Sequence, residues 1–587
     1  MLMIRKLKFL FLFLLFFSLT GCINNEEDPN NEENKELQEK LKEKDMIFLW
    51  LEDCYKGITI NGDMDFPKKH PDSDLEISFY SFEEEYLDNN GKFNAPIIDY
   101  DTEILFTINI DGKDYELFVP VTFKGYGDAF DLIVKKINED VPNIIETSIN
   151  LPTSYPEYNC KIEWTSDDEK IITNQGAINK DPFNEQYAIL WYKITYKNEV
   201  KENYKFVTIP KMTDLEKINL TKKWLDEEVS KIGVIDKDIE LPRRYEEYKA
   251  YLVWHSWNPT AVSDKGKYNA PFNDEEVILE ARISVGIKWI NYRYNFKVKG
   301  ENNTDIWKKI ESFLERINIK EIKNQKFYLF GCEPGYERVP TENIGYLPFY
   351  DEKEMEIKVD LLPDNSPLKP NKKRTVTKYI VIHNTGMAAP TATAKGLNDY
   401  IHTTDRIASW HFSIDDKETY QELDLDEVGW HAGDGSYTYK DTWAGGIGGG
   451  NLNGIGIESC VYQGVDFNKV LRRLAKLTAM LLIKYDLDMQ CIKQHYDFSS
   501  KDCPQVIRHS ERWNELLDMV RLEYFAQTEL KGVSFEWISL NPDIMDNEGT
   551  IINHPGDETK VKYKVIVTYN GVSKEYEYES LLLEYKK

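Results

Sequence analysis

The sequence predicts a multidomain chain: one α/β domain with a mixed central sheet flanked by helices, and several small all-β sandwiches. Three observations carry this. At 587 residues the chain is too long for a single hydrophobic core. An aromatic followed by Ser two residues on and Gly twelve on recurs four times, each copy closing on alternating apolar and polar residues. Between 379 and 487, short apolar runs alternate with segments of helical period.

The chain begins MLMIRKLKFLFLFLLFFSLTGC, in which Arg5, Lys6 and Lys8 precede an apolar run from Phe9 to Phe17. That run is too short for a spanning helix and reads as a secretory signal over 1–21. Leu19 to Cys22 resembles a bacterial lipobox, which implies a lipid on Cys22. The acidic, polar stretch 22–37 then reads as a tether holding the folded parts clear of the membrane. The expectation is an extracytoplasmic protein, lipid-anchored to the bacterial cell membrane and facing the wall. A net charge of −28 argues against nucleic acid and against charge-driven adhesion to anionic lipid. Seven cysteines make no dense disulfide framework. Apart from Cys22 and Cys503, they read mostly as small buried hydrophobes.

The repeats fall at Phe79, Ser81 and Gly91; at Trp164, Ser166 and Gly176; at Trp254, Ser256 and Gly266; and at Trp537, Ser539 and Gly549. Twelve residues before the aromatic stands Pro67, Pro152 or Pro242 in the first three copies. The aromatic is placed to fill a core and the glycine to make a turn. The units resemble the atrophied immunoglobulin-like domains of bacterial surface proteins, which open on a short helix. DAFDLIVKKINEDV and NTDIWKKIESFLERI fit such openers. The expected boundaries are 38–125, 126–212 and 213–300. For the fourth copy, 301–330 is an opener or linker and 526–587 the second half. The α/β domain with its N-terminal extension, 331–525, is then either inserted in the last sandwich or followed by a truncated unit appended after it.

In the α/β segment, Tyr379 to Ile382 reads as a buried strand that delivers His383. ATAKGLNDYIH reads as a helix, ASWHFSID and GIGIESC as strands, and FNKVLRRLAKLTAMLLIKYDL as a long amphipathic helix. Six of the nine histidines lie between 383 and 509. His383, His495 and Cys503 match the ligand preference of Zn²⁺, and three ligands leave a fourth position open. On residue type alone such a trio could arise by chance. The ordered segments IVIHNTG, ASWHFSID, VGWHAGDGS, NGIGIESC and QHYDFSSKDCP are more specific. Over 375–520 they resemble the zinc-dependent N-acetylmuramoyl-L-alanine amidases of the type-2 amidase, phage lysozyme and peptidoglycan-recognition-protein superfamily.

That resemblance implies Zn²⁺ on His383, His495 and Cys503, Glu458 as general base, and Lys501 as the cation that stabilises an oxyanion. It puts His431, Trp410, His411 and Asn384 at the substrate, with a hydrogen-bonded core residue as the equal alternative for His411. Where phage-like members carry a tyrosine before the YHF histidine, this chain has Trp410, which throws the base role onto Glu458. The implied substrate is peptidoglycan, with surface or wall proteins as partners of the repeats. GGIGGGNLNGIG lacks the Lys-Ser/Thr of a phosphate loop. Two function classes follow: a hydrolase of the bond between N-acetylmuramic acid and L-alanine, or a non-catalytic wall-binding protein. The full ligand set favours the first.

Overall fold

The structure, a computed structural model, describes residues 32–96, 98–197, 199–323, 325–329, 339–343, 345–433 and 449–585. The segment expected to be a secretory signal, Cys22 and the first residues of the glycine-rich run, 445–448, lie outside the described residues. The chain divides into two compact units, 1–212 and 213–587.

The first unit holds two copies of the repeat. Helix α1 (Glu32–Tyr55) precedes β1 (Thr59–Ile60), β2 (Ile77–Ser81), β3 (Tyr100–Ile110) and β4 (Lys113–Phe123), which form a sheet of order β1-β4-β3-β2. Helix α2 (Ala129–Asp140) precedes β5 (Cys160–Ser166), β6 (Gln186–Tyr196) and β7 (Glu199–Ile209), a sheet of order β5-β6-β7. In the second copy Phe130, Ile133 and Ile137 of the helix pack with Trp164, Leu190 and Val207 of the sheet.

The second unit begins with the third copy. Helix α3 (Asp214–Ser230) is followed by β8 (Arg244–Tyr245), β9 (Ala250–Ser256), β10 (Glu275–Val285) and β11 (Lys288–Val298). The fourth copy opens on α4 (Ile306–Ile317) and β12 (Glu321–Ile322), and a hairpin of β13 (Gln325–Leu329) and β14 (Val339–Asn343) follows.

Next come β15 (Lys358–Val359), β16 (Tyr379–Asn384), α5 (Ala394–Thr403), β17 (Phe412–Ile414) and β18 (Thr419–Gln421). They continue with α6 (Gly450–Asn453), β19 (Gly454–Ser459), α7 (Phe467–Tyr485), β20 (Ile492–Gln494), α8 (His495–Ser499), α9 (Gln505–His509) and α10 (Trp513–Glu529). Strands β21 (Val533–Ser539), β22 (Thr559–Tyr569) and β23 (Val572–Leu582) close the chain. The α/β sheet has order β15-β18-β17-β19-β16-β20 and is mixed, with only β17 and β18 antiparallel.

Each repeat pattern has a local cause. The indole N–H of Trp164 donates to the carbonyl of Pro152 at 2.8 Å, and that of Trp254 to Pro242 at 2.7 Å, which explains the twelve-residue spacing. The serine amide two residues on is capped by a side chain eight residues later: Asn174 for Ser166, Asp264 for Ser256, Asn547 for Ser539. Gly176 and Gly266 have φ near +90° and +79°, and a Cβ there would lie 2.3 and 2.2 Å from the carbonyl oxygens of Ile149 and Ile239. Both the left-handed backbone and the close approach demand glycine.

Two expectations are corrected. The named strands of each repeat form one sheet rather than a two-sheet sandwich, and the opening helix with loops covers its apolar face. Period-2 patterning fixes that one face is buried but not whether a helix or a second sheet buries it. The assignment of residues after 330 to an extension of the α/β domain also shifts. Leu347 donates to the Gly549 carbonyl at 2.8 Å, as Ile239 does to Gly266, and the Tyr350 carbonyl accepts the Trp537 indole N–H at 3.0 Å, as Pro242 accepts Trp254. Residues 345–350 thus do in the fourth repeat what the proline-bearing segment does in the others. Tyr replaces the proline, which hid the correspondence.

The fourth repeat is built from both sides of the α/β segment. Strand β12 pairs in parallel with β23, and Ile310, Phe313 and Ile317 of α4 share a core with Phe535, Val565 and Leu582. Phe313 and Phe535 lie 5.5 Å apart, ring to ring. Phe313→Ala should cost roughly 3–5 kcal/mol through the cavity it leaves. Amide exchange in β21–β23, more than two hundred residues away in sequence, should then speed up by about two to three orders of magnitude. Unchanged exchange there would contradict a shared core.

Candidate metal centre and active site

The α/β sheet has two unlike faces. Ile380, Ile382, Ile455, Ile457, Phe412 and Ile414 point into the main core with α5, α7 and α10. By the strand's two-residue period, His383, Gly456, Glu458, His411 and Ser413 face the other way. His383 and Glu458 are direct partners across β16 and β19, so the register sets them side by side. Strand β20 lies on the far side of β16 and leads directly into α8, whose first residue is His495. The loop after α8 folds back: the Tyr496 amide donates to the Cys503 carbonyl at 2.9 Å, which returns the thiol to His495.

His383, His495 and Cys503 are all buried, and one ligand atom from each lies within 4.8 Å of the others. The Nδ1 atoms of His383 and His495 are 3.1 Å apart, and the Cys503 Sγ is 3.7 Å from His383 Nδ1. Tetrahedral ligands at zinc bond lengths would stand about 3.3 Å (N to N) and about 3.6 Å (N to S) apart. The donor set therefore fits such an ion in both type and spacing.

Burial dominates the electrostatics. It holds His383 well below its ordinary pKa, with His495 and His431 adding to the effect, and it takes His495 down to about 3. Both imidazoles are neutral, as ligands must be. Burial, then Glu458, pushes the Cys503 thiol up. Glu458 Oε1 lies 3.8 Å from His383 Nδ1, its Oε2 has no hydrogen-bond partner, and burial raises its pKa to about 7 against the pull of Lys501. Lys501 is exposed, two residues from Cys503, and its charge is felt at Glu458, His383 and His495.

The four residues expected at the substrate are buried, and the fold engages them. His431 stands behind His383, its Nδ1 3.0 Å from His383 Nε2, and so can fix which nitrogen of His383 carries the proton. His411 accepts the Gly456 amide at Nδ1 and donates from Nε2 to the Glu427 carbonyl at 3.0 Å. The Trp410 indole N–H is spent on Ser413 Oγ. Asn384 accepts the amides of Val506 and Ile507, which opens α9 beside Cys503, and donates to Ser459. A polar residue in a motif strand reads alike whether it lines a cleft or braces it; only the three-dimensional partners separate the two.

Asn451 was not singled out from the sequence. Its Oδ1 accepts the amides of His431 and Ala432 at 2.7 and 2.6 Å, and so holds the His431 loop. Its place in a glycine-rich run gave no signal beyond loop. Among the described residues every cysteine is free; Cys160 and Cys460 are buried as expected, whereas Cys54 is exposed and Cys491 half-buried.

Residues 372–506 match the family model described as N-acetylmuramoyl-L-alanine amidase, a span that contains His383, Glu458, His495 and Cys503. The chain is 33% identical over 162 residues to the N-acetylmuramoyl-L-alanine amidase CwlH of Bacillus subtilis, covering 28% of this chain and 60% of that protein. It is 35% identical over 146 residues to XlyA of the same organism, covering 25% of this chain and 45% of that one. The solved catalytic domain of XlyA aligns at 32% identity with a TM-score of 0.25, covering 28% of this chain and 99% of that domain.

Gly456 tests the brace behind His383. A Cβ at this position would lie 2.7 Å from His431 Cγ. Gly456→Ala should displace His431 and weaken metal retention about 10- to 100-fold in chelator competition. Metal affinity equal to wild type in the folded variant would show that His431 does not orient His383.

Proposed function

We propose that this protein is a zinc-dependent peptidoglycan hydrolase that cleaves the amide between N-acetylmuramic acid and the L-alanine of the stem peptide. One observation carries the reading: three neutralisable donors of zinc type converge within 4.8 Å, beside a carboxylate with an oxygen left without a partner. The match over 372–506 supports it, and so do the relatives of that name.

His383, His495 and Cys503 would hold the ion. Zinc there supplies Lewis acidity to a scissile carbonyl and lowers the pKa of water. Glu458 takes the proton of the attacking water and passes it to the leaving amine; the burial that raises its pKa keeps it poised for both. Lys501 projects from the loop next to Cys503 and offsets the charge that develops on the carbonyl oxygen. His431 and Asn384 keep His383 and the Cys503 loop in place. The same reading puts the chain at the outer face of a bacterial membrane, held by a lipid on Cys22. No helix among the described residues is long and apolar enough to cross a membrane.

Glu458→Gln keeps the shape of the side chain and removes the base. Release of stem peptides should fall by a factor on the order of 10² to 10⁴ with zinc content unchanged. Full turnover in the zinc-loaded variant would eliminate Glu458 as base. A wild-type protein that binds zinc and wall glycan yet releases nothing would make it a binding protein instead. For the anchor, Cys22→Ser should move the protein out of the membrane fraction or leave an unprocessed precursor. A cleaved, unlipidated protein that stays on the membrane would refute it.

A further inference from the structure

The outer face of the third repeat is not used like that of its siblings. In β10 and β11 the cross-strand pair Glu280 and Arg293 occupies the position held by Leu105 and Phe118 in the first repeat, Trp191 and Tyr204 in the second, and Lys564 and Glu577 in the fourth. Trp191 and Tyr204 are about half exposed, whereas Glu280 is 2% exposed. Three residues past the repeat's aromatic, the third copy has Trp257, which is buried; Phe82 and Leu540 at that place are 45% and 41% exposed, and the second copy has Asp167 there. The backbone equivalence is direct, since Trp257, Asp167 and Leu540 each donate to the neighbouring strand, at Ile278, Ile189 and Lys562.

What covers Trp257 is the segment that carries His495. Lys493 Nζ sits 3.4 Å above the centre of the Trp257 ring, and the lysine is itself only 5% exposed. The Trp257 indole N–H donates to Glu280 Oε2 at 2.8 Å, and Arg293 Nε donates to the same oxygen at 2.8 Å, so the ring is fixed from behind. The Ile278 amide donates to Gln490 Oε1, and Arg521 of α10 reaches Glu275 and Asn258 of the third repeat. Phe272 stacks on Phe525 at 3.7 Å. Strand β20, which bears Lys493, has three residues and pairs only with β16, being last in the sheet. An edge strand this short has little hold of its own on the helix that follows. A desolvated cation on an indole face is held there by the ring's negative π-cloud, which fixes the strand's outer side.

We infer that the third repeat is part of the frame of the metal centre, and that Trp257 is a positioning residue acting through Lys493 on His495. This rests on the zinc reading above. It assigns the repeat a task different from those of a spacer or an adhesive module. It also explains why this copy alone carries a buried Trp and a buried Glu, tied down by an Arg, on a face where the others carry exposed aromatics or a charge ladder.

The full chain with bound zinc tests it. Trp257→Ala should raise the zinc dissociation constant about 10- to 100-fold in chelator competition. It should also shift the visible absorption bands of the cobalt-substituted protein, which report ligand geometry. Trp257→Phe keeps a ring beneath Lys493 and should restore most of both. Leu540→Ala, the same place in the fourth repeat, should leave both at wild-type values. If Trp257→Ala does not fold, Arg293→Met loosens Glu280 while leaving the ring, and should give the same changes at smaller size. Wild-type affinity and cobalt spectrum in a folded Trp257→Ala, or in Arg293→Met where the first fails, would overturn the inference alone. A wild-type protein that binds no zinc would overturn the metal reading and this inference with it.

Discussion

Two imidazoles and a thiol buried together are the constraint on which the rest of this structure depends. Away from water, neither His383 nor His495 can hold a proton to become a cation, and Cys503 cannot ionise unaided. Such a cluster gains little from packing and gives up hydration. A divalent ion there would make it favourable, since the thiolate and the neutral imidazoles would then be the stable forms. Glu458 belongs to the same field: its raised pKa comes from the burial that keeps the donors neutral.

The surrounding architecture holds these donors against drift. His383 is fixed by a six-residue strand inside the sheet and by His431 behind it. Cys503 is fixed by the loop closure to Tyr496 and by the Asn384 contacts that open α9. His495 is the most precariously held, because it follows a three-residue strand at the sheet edge. The third repeat covers that edge, and the fourth is closed by strands from before and after the α/β segment. Both ends of the α/β segment are therefore anchored in one small core. This limits how far its termini can spread.

Much of this was legible in the sequence, for identifiable reasons. The alternation of strands and helices could be read because it depends on two-residue or helical period, whereas His383, His495, Cys503 and Glu458 were singled out by motif segments that resemble a known family, and the structure brings the four together. The repeat offsets record single contacts, such as the indole of Trp164 on the Pro152 carbonyl. The illegible parts depend on what lies opposite in space. A buried sheet face looks the same under a helix as under a second sheet, so a sandwich was expected where α3 packs on β9 to β11. His411 and Asn384 carry polar atoms suited to a ligand, and only their partners show that the backbone takes them up. Residues 345–350 escaped notice because Tyr350 offers the same carbonyl as Pro242 without the proline that marks it.

The account stands on the three donors acting together on one ion, and X-ray absorption at the zinc edge addresses that most directly. For the full-length protein it should show two nitrogen neighbours at about 2.0–2.1 Å, one sulfur at about 2.3 Å, and a fourth light atom not supplied by the protein. A shell without sulfur, or one closed by four protein ligands, would contradict it.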